Sequence, residues 1–263
     1  MSDQPQIRFD DGAAYEEFMG KWSRLAGAVF LDWIAPPPAM NWVDVGCGNG
    51  AFTELIAERC APVTIDGIDP SEGQLKFART QPSARLATFQ QGDAMALPYA
   101  DKCFDAAVMA LVIFFVPEPA KGVAEMARVV RPGGIVAAYA WDILGGGFPT
   151  ELVSAEVRAM GANPPMPPSK EASTIPNMRA LWEGAGLEGV ATREISVERT
   201  FDSFDAFWTT TLLGPALKPT IAALAPDDAE ALKQRVRARV NPDAAGRVTL
   251  SARANAVKGR VPA

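Results

Sequence analysis

A chain of 263 residues with net charge −6, 48% hydrophobic and 21% charged, has ordinary globular composition. Its longest apolar run, Ala106 to Val116, falls far short of the ~20 residues of a membrane-spanning helix, so no membrane span is expected. The absence of histidine excludes a Ser-His-Asp or Cys-His nucleophile and every histidine metal site, and Cys47, Cys60 and Cys103 are too few and scattered for a zinc site or a disulfide framework.

The first residues, MSDQPQIRFDDG, are polar and acidic, so no secretory signal is read there and a cytoplasmic location is expected. An early helix ends at Asp32 to Ala35, and Pro36-Pro37-Pro38 punctuates the entry into the main domain. Strands and helices then alternate, the pattern of a parallel sheet covered on both faces. Strands are predicted over 42–46, 63–69, 87–92 and 104–111, with helices over 51–58, 71–80 and 120–130. Apart from Asp105 the run at 104–111 is apolar, as the buried centre of a parallel sheet requires. Arg131-Pro132-Gly133-Gly134 reads as a sharp turn before a fifth strand over 135–141.

Beyond Asp142 the pattern changes. Gly145-Gly146-Gly147 and the Pro-rich stretch Asn163 to Ser169 bracket a helix at about 150–160, which reads as a mobile insertion. A helix over 176–186 and a strand over 190–198 follow, then a helical insertion over about 203–245 and a final strand over 247–258. The domain reading is an N-terminal helical lid segment over 1–40, a core over 41–142, and the rest of the sheet over 143–263. Within that last part, cap insertions cover about 143–175 and 203–245.

The chemistry concentrates in Val43-Asp44-Val45-Gly46-Cys47-Gly48-Asn49-Gly50. Glycines between a strand and a helix let the backbone approach a ligand, and the helix start offers unpaired N–H groups. With Ala51 the block also satisfies the loose G-x-G-x-x-G/A dinucleotide pattern. Asp44, two residues before the first glycine, suits a cationic ligand better than a pyrophosphate. Asp69 closes the second strand, placed to accept hydrogen bonds from the two hydroxyls of a ribose, and Gly92-Asp93-Ala94 follows the third.

With Phe104-Asp105-Ala106-Ala107-Val108 and Arg131-Pro132-Gly133-Gly134, the series over about 40–142 resembles the class I S-adenosylmethionine-dependent methyltransferases, in the methyltransferase-11-like small-molecule branch. More weakly, Tyr15 to Arg24 resembles the N-terminal helix that closes over the cofactor in many relatives. The resemblance implies a doubly wound, Rossmann-like α/β fold with a seven-stranded sheet, its last strand antiparallel, and helical cap insertions.

It also implies the site. Gly46, Cys47, Gly48 and Gly50 would contact the methionine portion of S-adenosylmethionine, with Asp44 directing its amino group. Asp69 would hold the ribose, and Pro70, Gln74, Asp93 and Ala94 would surround the adenine. Ala110 and Leu111 would line the approach to the sulfonium, while Tyr15, Trp22 and Arg24 would be lid contacts. The family's frequent histidine pair after the fourth strand is replaced by Phe114-Phe115, which makes the expected pocket more apolar.

Phe115, Trp141 and Phe148 are the expected substrate contacts, and Asp142 is the best-placed general base, although an activated sulfonium makes a base optional. Trp182 and Trp208 read as core, Asp105 as a structural acid, and Cys47 as a small residue between glycines. Residues 214–263 carry nine Lys or Arg against four Asp or Glu, a local +5 that leaves −11 elsewhere. The basic run Lys233, Arg235, Arg237 and Arg239 lies opposite Leu232, Val236 and Val240 and reads as a solvated helix face. The expected partner is therefore a small-molecule acceptor and no nucleic acid. A nicotinamide-dependent oxidoreductase and a cofactor-binding protein without catalysis are the alternatives. The acceptor, the methylated atom and the oligomeric state are not legible.

Overall fold

The computed structural model describes residues 12–263. The leader MSDQPQIRFDD, on which the secretory reading rests, and the start of the 1–40 segment lie outside the described residues. The described chain opens with α1 (Gly12–Tyr15), a π-helical turn (Glu16–Gly20) and α2 (Lys21–Ile34) in unbroken succession. Then come β1 (Asn41–Val45), α3 (Ala51–Arg59), β2 (Thr64–Asp69), α4 (Glu72–Ala78), β3 (Ala87–Gln91) and β4 (Phe104–Ala110). α5 (Pro119–Val129) leads into β5 (Val130–Trp141). The second half holds α6 (Glu151–Ala159), α7 (Ile175–Gly184), β6 (Glu188–Phe201), α8 (Phe204–Thr211), α9 (Leu217–Ala222), α10 (Pro226–Arg237) and β7 (Val248–Arg260).

The seven strands form one sheet in the order β3-β2-β1-β4-β5-β7-β6, with β7 antiparallel to both its neighbours. This is the expected fold. Phe104 to Met109 of β4 are all buried, because helices cover both faces of the central strands. Trp182 of α7 is sealed against one face and donates its Nε1–H to the Val136 carbonyl at 2.8 Å. Phe30, Phe52 and Tyr139 pack together on the other face, with ring centroids 4.8–5.9 Å apart.

One local expectation is corrected. Arg131 to Gly134 do not form a turn ahead of the strand but a bulge inside β5. Phe104 pairs with Val130 and Ala106 with Ile135, so the intervening residues loop out of register, with Gly133 at φ +76°. Val261 accepts the Gly133 N–H and donates to the Gly134 carbonyl, so the end of the chain supplies the missing partners.

The order of strands places the site. From β1 the chain winds outward to β2 and β3, then returns to put β4 on β1's other side, which opens a crevice beyond the carboxyl ends of β1 and β4.

Candidate active site

At the end of β1 the chain turns back on itself through Gly46, Gly48 and Gly50, all at positive φ. The Gly46 and Cys47 amides both donate to the Ile68 carbonyl, which ties the loop to the end of β2. A Cβ on Gly46 would stand 2.5 Å from Val112, so glycine is required there by packing. A Cβ on Gly48 would meet nothing within 4 Å and would project into open space.

That space is a cavity of about 770 Å³ with two unlike ends. Asp44, Gly46, Cys47, Gly48, Asn49, Asp69, Pro70, Ser71 and Gln74 line the polar end, with Tyr15, Ser23 and Tyr139 beside them. Ala110, Leu111, Val112, Phe115, Pro117, Met166, Pro167 and Pro168 line the apolar end.

Asp44 is fully buried. Its Oδ2 accepts the Thr53 hydroxyl at 2.7 Å, and its Oδ1 has no hydrogen-bond partner among the described residues. Burial, opposed by the Thr53 hydrogen bond and reinforced by the charge of Asp69, pushes its pKa up to about 7. Asp69 accepts the Gly48 amide through Oδ2 at 2.9 Å and the Ser71 amide through Oδ1 at 2.8 Å. Burial raises its pKa too, against the pull of those two N–H groups. The Cys47 thiol is pushed well up by burial and by Asp44 and Asp69, so it is no thiolate nucleophile. Among the described residues no group of three or more potential metal ligands occurs.

Residues 43–138 match the family model described as Methyltransferase domain. Over those residues the chain carries a methyltransferase domain. Two demethylmenaquinone methyltransferases, from Desulfitobacterium hafniense (strain Y51) and Renibacterium salmoninarum, are similar to it, at 39% identity over 108 residues and 35% over 145. These alignments cover 39% and 54% of this chain and 43% and 57% of the relatives. The chain thus spans about half the length of the curated relatives it matches. In fold it resembles the Haemonchus contortus phosphoethanolamine N-methyltransferase 2 solved with S-adenosyl-L-methionine, with TM-score 0.57, 14% identity and coverage of 95% of this chain and 56% of that one.

The residues lining the cavity fit that cofactor on their own evidence. An orphaned buried acceptor, Asp44 Oδ1, faces the cavity, and Gly48 leaves open a cradle that a side chain would fill.

Not every residue expected at the site lines the cavity. Gly50 instead caps α3 at φ +85°. Asp93 is exposed and accepts the Met95 amide, and Ala94 packs on the core. Arg24 is drawn to Glu58, with its Nη2 2.9 Å from Oε2, on the outer surface of α2 and α3. Trp22 and Trp141 pack edge to face at 6.4 Å in the core, and Phe148 packs beside the core outside the cavity. Asp142 is held by Arg253, whose Nε donates to Oδ2 at 3.0 Å, and it accepts the Gly145 amide. These bonds fix Gly145 to Gly147 away from the cavity and commit the Asp142 carboxylate to a structural ion pair.

Sequence reasoning missed Ser23, Tyr139 and the Met166-Pro167-Pro168 strap. The strap is pinned by Ser169, whose amide donates to the Phe114 carbonyl at 3.0 Å and whose hydroxyl donates to that of Val116 at 2.8 Å. A proline-rich stretch signals a loop but not its destination, and no local pattern could have shown this contact.

Proposed function

We propose that this methyltransferase transfers the methyl group of S-adenosylmethionine to a small, partly apolar acceptor held in the same cavity. One observation carries the reading: a single cavity joins a polar end, where one oxygen of the buried Asp44 carboxylate has no partner among the described residues, to an apolar end lined by Phe115 and Met166. The demethylmenaquinone methyltransferases it resembles act, by name, on a quinone, which agrees with an apolar acceptor end.

Asp44 and the Gly46–Gly48 backbone would take the methionine portion, the carboxylate facing its ammonium. Asp69 would take the ribose. Each of its oxygens already accepts one amide and keeps a second lone pair for a hydroxyl. Pro70 and Gln74 would flank the adenine, while Ala110 and Leu111 would line the path to the acceptor.

Bound there, S-adenosylmethionine supplies a methyl group already activated on a sulfonium. The residues at the apolar end are neutral and carry no acid or base, and Asp142 is occupied by Arg253. The protein's contribution is therefore alignment and exclusion of water, effects that can supply ~7–11 kcal/mol.

The test is methyl transfer from isotopically labelled S-adenosylmethionine into a panel of phenols, quinols and lipid-like acids, with cofactor binding measured separately by calorimetry. Binding with transfer to an apolar acceptor is the expected result. Absence of any cofactor binding, or transfer confined to nucleic acid, would overturn the reading.

A further inference from the structure

The turn Glu16–Gly20 between α1 and α2 is π-helical, a rare geometry that is frequent at functional sites. Two contacts fix it. Gly20 carries no side chain, and a Cβ there would collide with the Glu16 carboxylate. The Glu16 side chain therefore folds over Gly20, and its Oε2 accepts the Asn49 Nδ2–H at 2.8 Å, directly inside the glycine loop.

On its other side the turn meets β6. The Arg199 guanidinium, buried at 8% exposure, donates through Nη1 to the carbonyls of Glu17 and Phe18 at 3.3 Å. It also pairs with the Glu17 carboxylate at 3.4 Å and stands 4.4 Å over the Phe201 ring. A buried cation spent on backbone carbonyls of a turn 182 residues away is a costly arrangement for stability alone. Replacing the charge by an apolar side chain would remove the hold on the turn together with the ion pair to Glu17 and the cation–π contact with Phe201.

We propose that Arg199 is a positioning residue for the methionine end of the cavity. It locks the π-turn in the one geometry that lets Glu16 hold Asn49, and so shapes the glycine loop without touching the ligand. The inference rests on the function proposed above, in that the glycine loop is taken to meet the methionine portion. Tyr15, the residue just before the turn, stands in the cavity wall, so the lock also sets that side chain.

The test compares Arg199→Ala, Arg199→Lys and Gly20→Ala with the parent. Calorimetry would measure affinity for S-adenosylmethionine and for 5′-methylthioadenosine, which lacks the amino-acid part. Arg199→Ala and Gly20→Ala are expected to weaken S-adenosylmethionine by tenfold or more and methylthioadenosine by less than twofold, with Arg199→Lys in between. Hydrogen exchange over residues 12–20 should accelerate in Arg199→Ala without ligand. Should Arg199→Ala not fold, Gly20→Ala and Arg199→Lys carry the same comparison. Equal losses for both ligands, or a lowered melting temperature with S-adenosylmethionine affinity unchanged, would reduce Arg199 to a structural residue and overturn the inference. A parent that binds neither ligand would instead overturn the proposed function, which keeps the two failures apart.

Discussion

Asp44 and Asp69 are carboxylates at the ends of neighbouring parallel strands, yet their surroundings ask different things of them. Asp69 is clamped by two amides and, on the proposed function, would present its remaining lone pairs to a ribose, each charge-assisted bond being worth ~1.5–3 kcal/mol. Asp69→Ala should weaken S-adenosylmethionine by about a hundredfold or more, at ~1.4 kcal/mol per decade, as calorimetric titration would read. An unchanged dissociation constant would remove Asp69 from the site. Asp44 is instead starved of partners, and burial raises its pKa from 3.8 to about 7. A raised folded-state pKa means that the protonated form stabilises the fold. Its contribution is complete below pH ~4 and is lost as pH rises through about 7, a swing on the order of 4 kcal/mol in the ligand-free protein. A cationic ligand reverses the preference, because it favours the carboxylate. Affinity for S-adenosylmethionine should therefore climb between pH 5.5 and 7 and level off above. With no histidine in the chain, no imidazole titrates in that window. Asp44→Asn should flatten both profiles, and a parent whose affinity ignores pH across the window would show that Asp44 does not face the ligand's charge.

At the scale of the element, the glycine loop divides its labour. Gly46 exists for packing against Val112 and Gly48 for space, although both stand at positive φ. Gly48→Ala pays only the left-handed strain of ~1–2 kcal/mol and should fold, yet lose most of its stabilisation by ligand. Gly46→Ala should unfold at a markedly lower temperature with or without ligand. Thermal unfolding of both variants in the presence and absence of S-adenosylhomocysteine would check this, and a Gly48→Ala protein stabilised like the parent would move the site elsewhere. This loop was legible in the sequence because its signals are local: a strand, three glycines and a helix follow one another between Asn41 and Arg59. The buried run of β4 was legible for the same reason. Asp142 misled because its position at a strand end is local information, whereas its partner Arg253 lies 111 residues on. The bulge at Arg131 to Gly134 was likewise hidden, since Val261 at the end of the chain completes its hydrogen bonds.

Across the whole molecule, the two insertions expected to roof the site have separate jobs. Only the first sends a segment, the strap at Met166 to Pro168, into the cavity wall. The second, α8 to α10, lies outside that wall and instead packs near the π-turn, where Gly214 leaves room for the Phe18 ring. Its basic face is partly neutralised from within. Lys233 and Arg237 pair with Asp205, and Arg235 and Arg239 pair with Glu156, so two carboxylates on α8 and α6 tie down four cations on and just beyond α10. On the proposed function, acceptor recognition would fall to the strap and Phe115. Met166 remains 40% exposed at the cavity mouth, where burial of its flexible thioether against an acceptor would add apolar contact at ~25 cal/mol per Å². Met166→Asp places a charge at that mouth and should lower kcat/KM for an apolar acceptor by tenfold or more. Affinity for S-adenosylmethionine should be nearly unchanged, because Asp44 and Asp69 sit at the other end. Steady-state kinetics with calorimetry separates the two terms, and hydrogen exchange over 163–169 should slow when acceptor joins the cofactor product. An acceptor KM indifferent to Met166→Asp, with no protection of the strap, would place recognition somewhere other than the apolar end.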